Sequence, residues 1–302
     1  MSLFSLMGAL EIGLIFSLVA LGVLISFRIL NFPDLTVDGS FALGGAVAAT
    51  LIAGGTNPFN ATLAAAAAGA VAGFITGWLN VRLKIMDLLA SILMMIALYS
   101  INLRVMGAPN VPLITSPTVF TLTLPETLPA WLPDFVARPL LMLVVVFVIK
   151  FALDAFFSSQ QGLAMRSTGA NPRMARAQGV NTGREILAGI AMSNALVALA
   201  GALFAQLQGG ADISMGIGTI VIGLAAVIIG ETILPARRML LTTLAVVLGA
   251  VLYRFFIALA LNSDFIGLKA QDLNLVTALL VAIALVLPAT RRKLFARKNG
   301  GA

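Results

Sequence analysis

Runs of about twenty apolar residues follow one another along this chain with little between them, and any fold must first find a place for them. A hydrocarbon core about 30 Å thick is crossed by roughly twenty helical residues, so each run is long enough to span a bilayer. The runs fall near 8–27, 36–54, 61–81, 87–104, 138–157, 186–208, 213–233, 239–261 and 272–290. They predict an all-α polytopic membrane protein of about nine transmembrane helices, with eight to ten compatible, forming a single transmembrane domain over 1–302. The runs are continuous, without the period-two alternation of barrel strands, so helices are expected. With 60% of residues hydrophobic and 10% charged, a soluble domain is excluded. Met1 to Ala9 has no basic residue and no cleavage site, so the first run is expected to be retained.

The chain contains neither cysteine nor histidine. Disulfides, thiolate or imidazole metal sites, cysteine nucleophiles and histidine-containing triads are therefore excluded, and neither an enzyme nor a chain-borne cofactor is expected.

Orientation follows from the lysines and arginines. Placing the basic tail at 291–302 in the cytoplasm and walking back through nine helices puts 14 of 19 basic residues inside, among them Arg28, Arg82, Arg166, Arg184 and Arg238. The N-terminus is then expected outside. The net charge of +7 reads as topology and contact with anionic lipid, with no call for nucleic acid.

Two connections stand out. The outer segment 105–137 contains six prolines, Pro109, Pro112, Pro117, Pro125, Pro129 and Pro133, and is expected to run extended and stiff, as a plain connecting loop or as a docking surface. The inner segment 158–185 is a polar and basic island. Within it Asn171 suits an N-cap, Pro172 the first helical position, and Gly179 a stop, which predicts about two turns of helix over 172–178. Helices that short do not persist alone in water, so this one is packed on its own bundle, on lipid or on a partner. An ordinary basic loop obeying the positive-inside rule is the other reading.

Three blocks of sequence resemble the permease subunits of ATP-binding-cassette (ABC) importers, in the group that includes branched-chain amino acid and ribose-type permeases. The first, Asp34-Leu35-Thr36-Val37-Asp38-Gly39-Ser40 and on to Ala49, looks like the small-residue stretch that opens that family's broken second helix. In the second, Gly162 to Pro172 leads through Ala175 to Gly179-Val180-Asn181 and is similar to the family's cytoplasmic coupling loop. The third joins Ala198-Leu199-Ala200-Gly201-Ala202 to Gly223 through Gly230. The chain departs from the ribose-type pattern in lacking an additional N-terminal helix, and carries Glu231 where a second glycine often follows Gly230. Asn31-Phe32-Pro33-Asp34 matches the branched-chain Asn-Phe-x-x-Gly pattern only in part. The nearest likeness is to a less characterised subgroup, encoded with a lipoprotein-like binding protein and linked in some members to aromatic amino acids.

The resemblance implies a type II ABC importer permease fold in a bacterial inner membrane, and a division of labour. No GxxxxGK[ST] loop occurs, so ATP-Mg would sit on a separate ATPase subunit. The coupling helix would seat in that ATPase through Gly162, Arg166, Asn171, Pro172, Arg173, Met174, Arg176, Ala177 and Gly179. An extracytoplasmic solute-binding protein would deliver a small solute, possible cargo being an amino acid, and two copies would form a homodimer.

A translocation path needs breaks in helices and a few polar groups. Asp34, Thr36, Asp38 and Ser40 in one segment and Asp212 and Ser214 in another satisfy this, and both segments begin Asp-[Leu/Ile]-[Thr/Ser]. An inverted repeat or two unrelated helix caps would each give that pattern. Arg254, inside the eighth run, pairs with Asp264 or Asp272 or meets a substrate carboxylate. Lys150 and Asp154 form an i, i+4 pair. The competing class is a secondary transporter or channel not coupled to ATP, which needs acids at the midplane, whereas Glu11, Asp87 and Glu231 are expected mostly near helix ends.

Overall fold

The computed structural model describes residues 3–124, 134–235 and 238–261. Seven of its helices are long and apolar enough to cross a membrane. The chain is an integral membrane protein.

Helix α1, Leu3–Val23, widens into a π-helical segment at Leu24–Ile29, and Leu30 donates its N–H back to Ile25 O at 3.0 Å. Asn31 then turns the chain with φ +54° and Pro33 keeps it from re-entering a helix. The Asp34 carboxylate receives the Thr36 N–H at 2.9 Å where α2, Thr36–Ala53, begins. Helices α3, Pro58–Leu83, and α4, Asp87–Met106, follow as a hairpin. After strand β1, Asn110–Pro112, and the short α5, Val119–Thr123, comes α6, Asp134–Ser158. Helices α7, Gln160–Ala170, and α8, Pro172–Ala177, lead into the 27-residue α9, Thr182–Gln208. Strand β2, Gly210–Asp212, pairs antiparallel with β1, and the described chain closes with α10, Thr219–Ile233, and α11, Met239–Leu261.

α9 is the central helix, packed on α1, α2 and α3 at points where one partner is glycine. A Cβ on Gly44 or Gly201 would strike the backbone carbonyl of Ala198 or Phe41, and one on Gly69 or Gly73 that of Asn194 or Ile190. Without a hydrophobic difference between lipid and side chain, such close backbone approach is what holds membrane helices together. Ser193, Asn194 and Gln206 of α9 are buried and bonded to neighbouring elements. Ser193 donates to Gly22 O at 2.7 Å, and Gln206 donates to Thr62 Oγ1 at 2.8 Å while accepting the Val119 N–H at 2.9 Å.

Four expectations are corrected. The run at 213–233 is not one span: residues 213–218 are turns and α10 has 15 residues, about 22 Å of helix against a core of about 30 Å. Gly218, at φ +84°, supplies the break. The break expected inside the second helix is absent, because α2 runs uninterrupted over its 18 residues. The start of the basic island is helical, not a loop. The proline-rich segment is not wholly extended, since α5 forms inside it, started by a Thr118–Thr121 capping box. The ninth run at 272–290, the tail at 291–302 and the acids Asp264 and Asp272 lie outside the described residues.

The two Asp-x-[Thr/Ser] segments share more than sequence. Each carries a left-handed residue three positions earlier, Asn31 at +54° and Gly209 at +74°, and each aspartate accepts the N–H two residues on, at 2.9 Å for Asp34 and 2.8 Å for Asp212. They lie at opposite ends of α2, with Asp34 before its start and Asp212 in the β1–β2 pair.

Candidate functional site

At the end of the bundle opposite the β1–β2 pair, α7 and α8 form a projecting elbow. Asn171 ends one helix and caps the next: its Oδ1 receives the N–H groups of Arg173 and Met174, both at 3.1 Å. Pro172, at the first helical position, has no N–H to satisfy. Gly179 closes the elbow with φ +85°. Of α8 only Ala175 is buried, so Arg173, Met174, Arg176 and Ala177 all face outward, with Met174 59% exposed. The exposed face of α8 thus presents an apolar side chain flanked by two guanidinium groups. Ala175, the anchor, carries no chemistry and is easily passed over in the sequence.

The elbow is keyed to the bundle through glycines. A Cβ on Gly162 would strike Phe156 O, and one on Gly169 would strike Ile29 O, the last residue of the π-helical segment. Ser159 caps α7 by accepting the Gly162 N–H. Arg166, on the outer side of α7, lines a cleft of about 720 Å³ together with Arg28, Asn31 and Glu231. Across it Arg28 Nε meets Glu231 Oε1 at 2.7 Å. The glutamate that replaces a second glycine thus makes an ion pair between α1 and α10, while Gly230 keeps the close backbone contact, to Ala245 O. An α8 displaced by a partner would press, through α7, on the α1 π-segment and on that pair. Such π-segments recur at functional sites.

The polar residues of the two Asp segments divide into two groups. Asp34, Thr36 and Ser40 are fully buried. Asn194 ties them together, donating Nδ2 to Asp34 Oδ2 at 2.7 Å and accepting the Ser40 hydroxyl at 2.7 Å, while Thr36 and Thr76 share a bond of 2.9 Å. Burial pushes the Asp34 carboxyl above the usual carboxylate range, against the opposing pull of its bonds to Thr36 and Asn194. This group joins α2, α3 and α9. Asp38 is different: it accepts the Gly218 N–H at 3.0 Å, the Thr219 hydroxyl at 3.0 Å and the Ile220 N–H at 2.8 Å, and so caps α10 from another helix. It also lines a cavity of about 450 Å³ with residues of α4, among them Tyr99 and Asn102.

Asp212 and Ser214 lie beside the strand pair, half-buried and exposed respectively, and bond each other through both the Ser214 N–H and its hydroxyl. Arg254 is not with them: it sits on α11 with its guanidinium 5.7 Å from the centre of the Phe16 ring on α1. Lys150 and Asp154 pair at 2.7 Å in a buried site that Thr243 completes. Glu11 lies buried within α1, well inside the span and not at its end. Tyr99, Asn102, Asn194 and Thr219 were missed in the sequence; two of them, in the Tyr99-Ser100-x-Asn102 cluster, carried a signal as an interruption of the apolar α4.

The profile of the family described as branched-chain amino acid transport system permease component matches residues 5–287. The chain is 38% identical over 269 residues to the tyrosine transport system permease protein of Clostridioides difficile (strain R20291), covering 89% of this chain and 86% of that protein. It is 33% identical over 285 residues to an uncharacterized protein of Rickettsia prowazekii (strain Madrid E), covering 93% and 96%. No solved structure matches it significantly.

Proposed function

The chain belongs to the permease family of branched-chain amino acid transport systems, and from that premise we propose that it is the membrane subunit of an ATP-driven ABC importer for aromatic amino acids. The observation that carries the coupling is the elbow: a short helix, pre-capped by Asn171 and anchored by Ala175, offers Arg173, Met174 and Arg176 to a partner. The ATPase subunit binds there and holds the ATP-Mg, since this chain has no phosphate-binding loop. Hydrolysis moves α8 as a lever, and α7 carries the movement to the α1 π-segment and α10. The elbow faces the cytoplasm and the β1–β2 pair faces outward, where a binding protein delivers the solute. The basic residues around the elbow support that orientation in a bacterial inner membrane. Two copies make the transporter, because each chain has one elbow and an ABC ATPase pair needs two. The tyrosine permease relative supports an aromatic cargo.

Reconstitution tests this reading. Uptake of tyrosine should require the ATPase and ATP, and Arg173→Glu with Arg176→Glu should abolish ATPase co-purification while membrane insertion stays normal. Uptake driven by an ion gradient with no ATPase present would establish the secondary transporter instead.

A further inference from the structure

The cavity beside Asp38 has chemistry of its own. Met95, Ile96, Tyr99, Ile213 and Ile217 give it apolar walls, and its volume of about 450 Å³ falls within the range of small-molecule sites. Its polar pole is made of acceptors. Asn102, 1% exposed, donates Nδ2 to Gly39 O at 3.2 Å, but its Oδ1 has no hydrogen-bond partner among the described residues. A buried acceptor left unpaired is costly, and in a functional protein such an atom awaits a donor. Asp38 is bonded at both oxygens but still has acceptor capacity. Its Oδ1 is filled by Thr219 and Ile220, whereas Oδ2 takes only the Gly218 N–H, which leaves a lone pair free.

Two acceptors on facing helices, α2 and α4, at the wall of one cavity whose apolar sides include a phenol ring, select a group rich in donors attached to an apolar body. An ammonium has three donors and no acceptor. We propose that this cavity is a holding site within the translocation path, where the α-ammonium of an aromatic amino acid is shared between Asp38 Oδ2 and Asn102 Oδ1. The aromatic side chain lies against Met95, Tyr99 and Ile217. This assignment rests on the importer reading for its substrate, but the site is defined by its own residues. It also links occupancy to movement: the carboxylate that receives the ammonium is the cap of α10, whose other end holds Glu231 to Arg28.

The chain has no cysteine, so Ile217→Cys, at a position 73% exposed, provides a single reporter thiol at the rim. The full chain in lipid nanodiscs is alkylated with N-ethylmaleimide, with and without L-tyrosine, tyramine or 3-(4-hydroxyphenyl)propionate. Tyrosine and tyramine should slow the reaction, and the amine-free acid should not. Adding Asp38→Asn should raise the half-protecting tyrosine concentration about tenfold or more. Because that variant also weakens the α10 cap, Tyr99→Ala, at a 56% exposed position, serves as the second probe. It should weaken protection by tyrosine more than protection by leucine. Equal slowing by the amine-free acid, or no slowing by any of the three, overturns the site even if the assembled transporter imports tyrosine. Protection by tyrosine and tyramine alone upholds the site, including where no ATP-dependent uptake is found, and that last result overturns the importer reading only.

Discussion

Replacing Asn171 by alanine isolates the contribution of the elbow. Its Oδ1 satisfies the two free N–H groups of the first turn of α8, at 3.1 Å each, and Pro172 leaves no third. Loss of such a cap costs about 0.5–2 kcal/mol, typically about 1. In a helix embedded in the bundle that loss would be spread over many contacts. α8 has six residues of which only Ala175 is buried, so the loss falls on the elbow alone. One kcal/mol corresponds to about a fivefold drop in the ratio of formed to unformed helix. Hydrogen exchange in a peptide covering 172–178 should therefore accelerate about fivefold in Asn171→Ala, with amides of α9 unchanged. ATPase-driven uptake should fall with it. Asn171→Asp, an equally good cap, should restore both. Unchanged exchange in the alanine variant, or an aspartate variant as damaged as the alanine one, would refute the argument that side-chain capping holds the elbow in shape.

Gly44→Ala places a methyl group against Ala198 O and should lower thermal stability in detergent by about 1–3 kcal/mol, whereas Gly8→Ala, with open space around it, should be neutral or stabilising by up to about 1. Equal effects of the two would contradict the close α2–α9 crossing. Reversing the Arg28–Glu231 pair by Arg28→Glu with Glu231→Arg should recover uptake lost in either single variant. Because both side chains are partly exposed, the coupling should be only about 0.2–1 kcal/mol and should shrink in high salt. Asn194→Leu strands both Asp34 Oδ2 and the Ser40 hydroxyl, while Ser40→Ala strands only the Asn194 amide oxygen. At about 1–3 kcal/mol for each stranded group, the leucine variant should melt well below the alanine one, and matching melting temperatures would break the network as described.

What the sequence disclosed was governed by the distance over which each feature is determined. Seven of the expected spans and α8 were legible because apolar length and the order Asn171-Pro172…Gly179 are local instructions. α7 was hidden because Gly162 and Gly169 look like loop residues until α6 and the α1 π-segment are seen pressed against them. The half-length of α10 was hidden too. Its cap comes from Asp38, 180 residues before Gly218, and no window along the chain contains both.

The path residues show the same division more sharply. Asp34, Thr36, Asp38 and Ser40 are alike in spacing and polarity, and composition gives no ground for separating them. Position separates them: Asp34, Thr36 and Ser40 are fully buried and tied to Asn194 and Thr76, whereas Asp38 keeps an open lone pair on Oδ2 at the wall of a cavity where Asn102 Oδ1 is unpaired. In a membrane interior, where water does not complete a hydrogen-bond shell, a polar group whose bonds are filled by the protein holds helices together. One left partly unfilled beside a cavity is free to bind what passes through it. By that criterion Asp38, and not its three neighbours, is the residue of this segment on which recognition of a substrate amine depends.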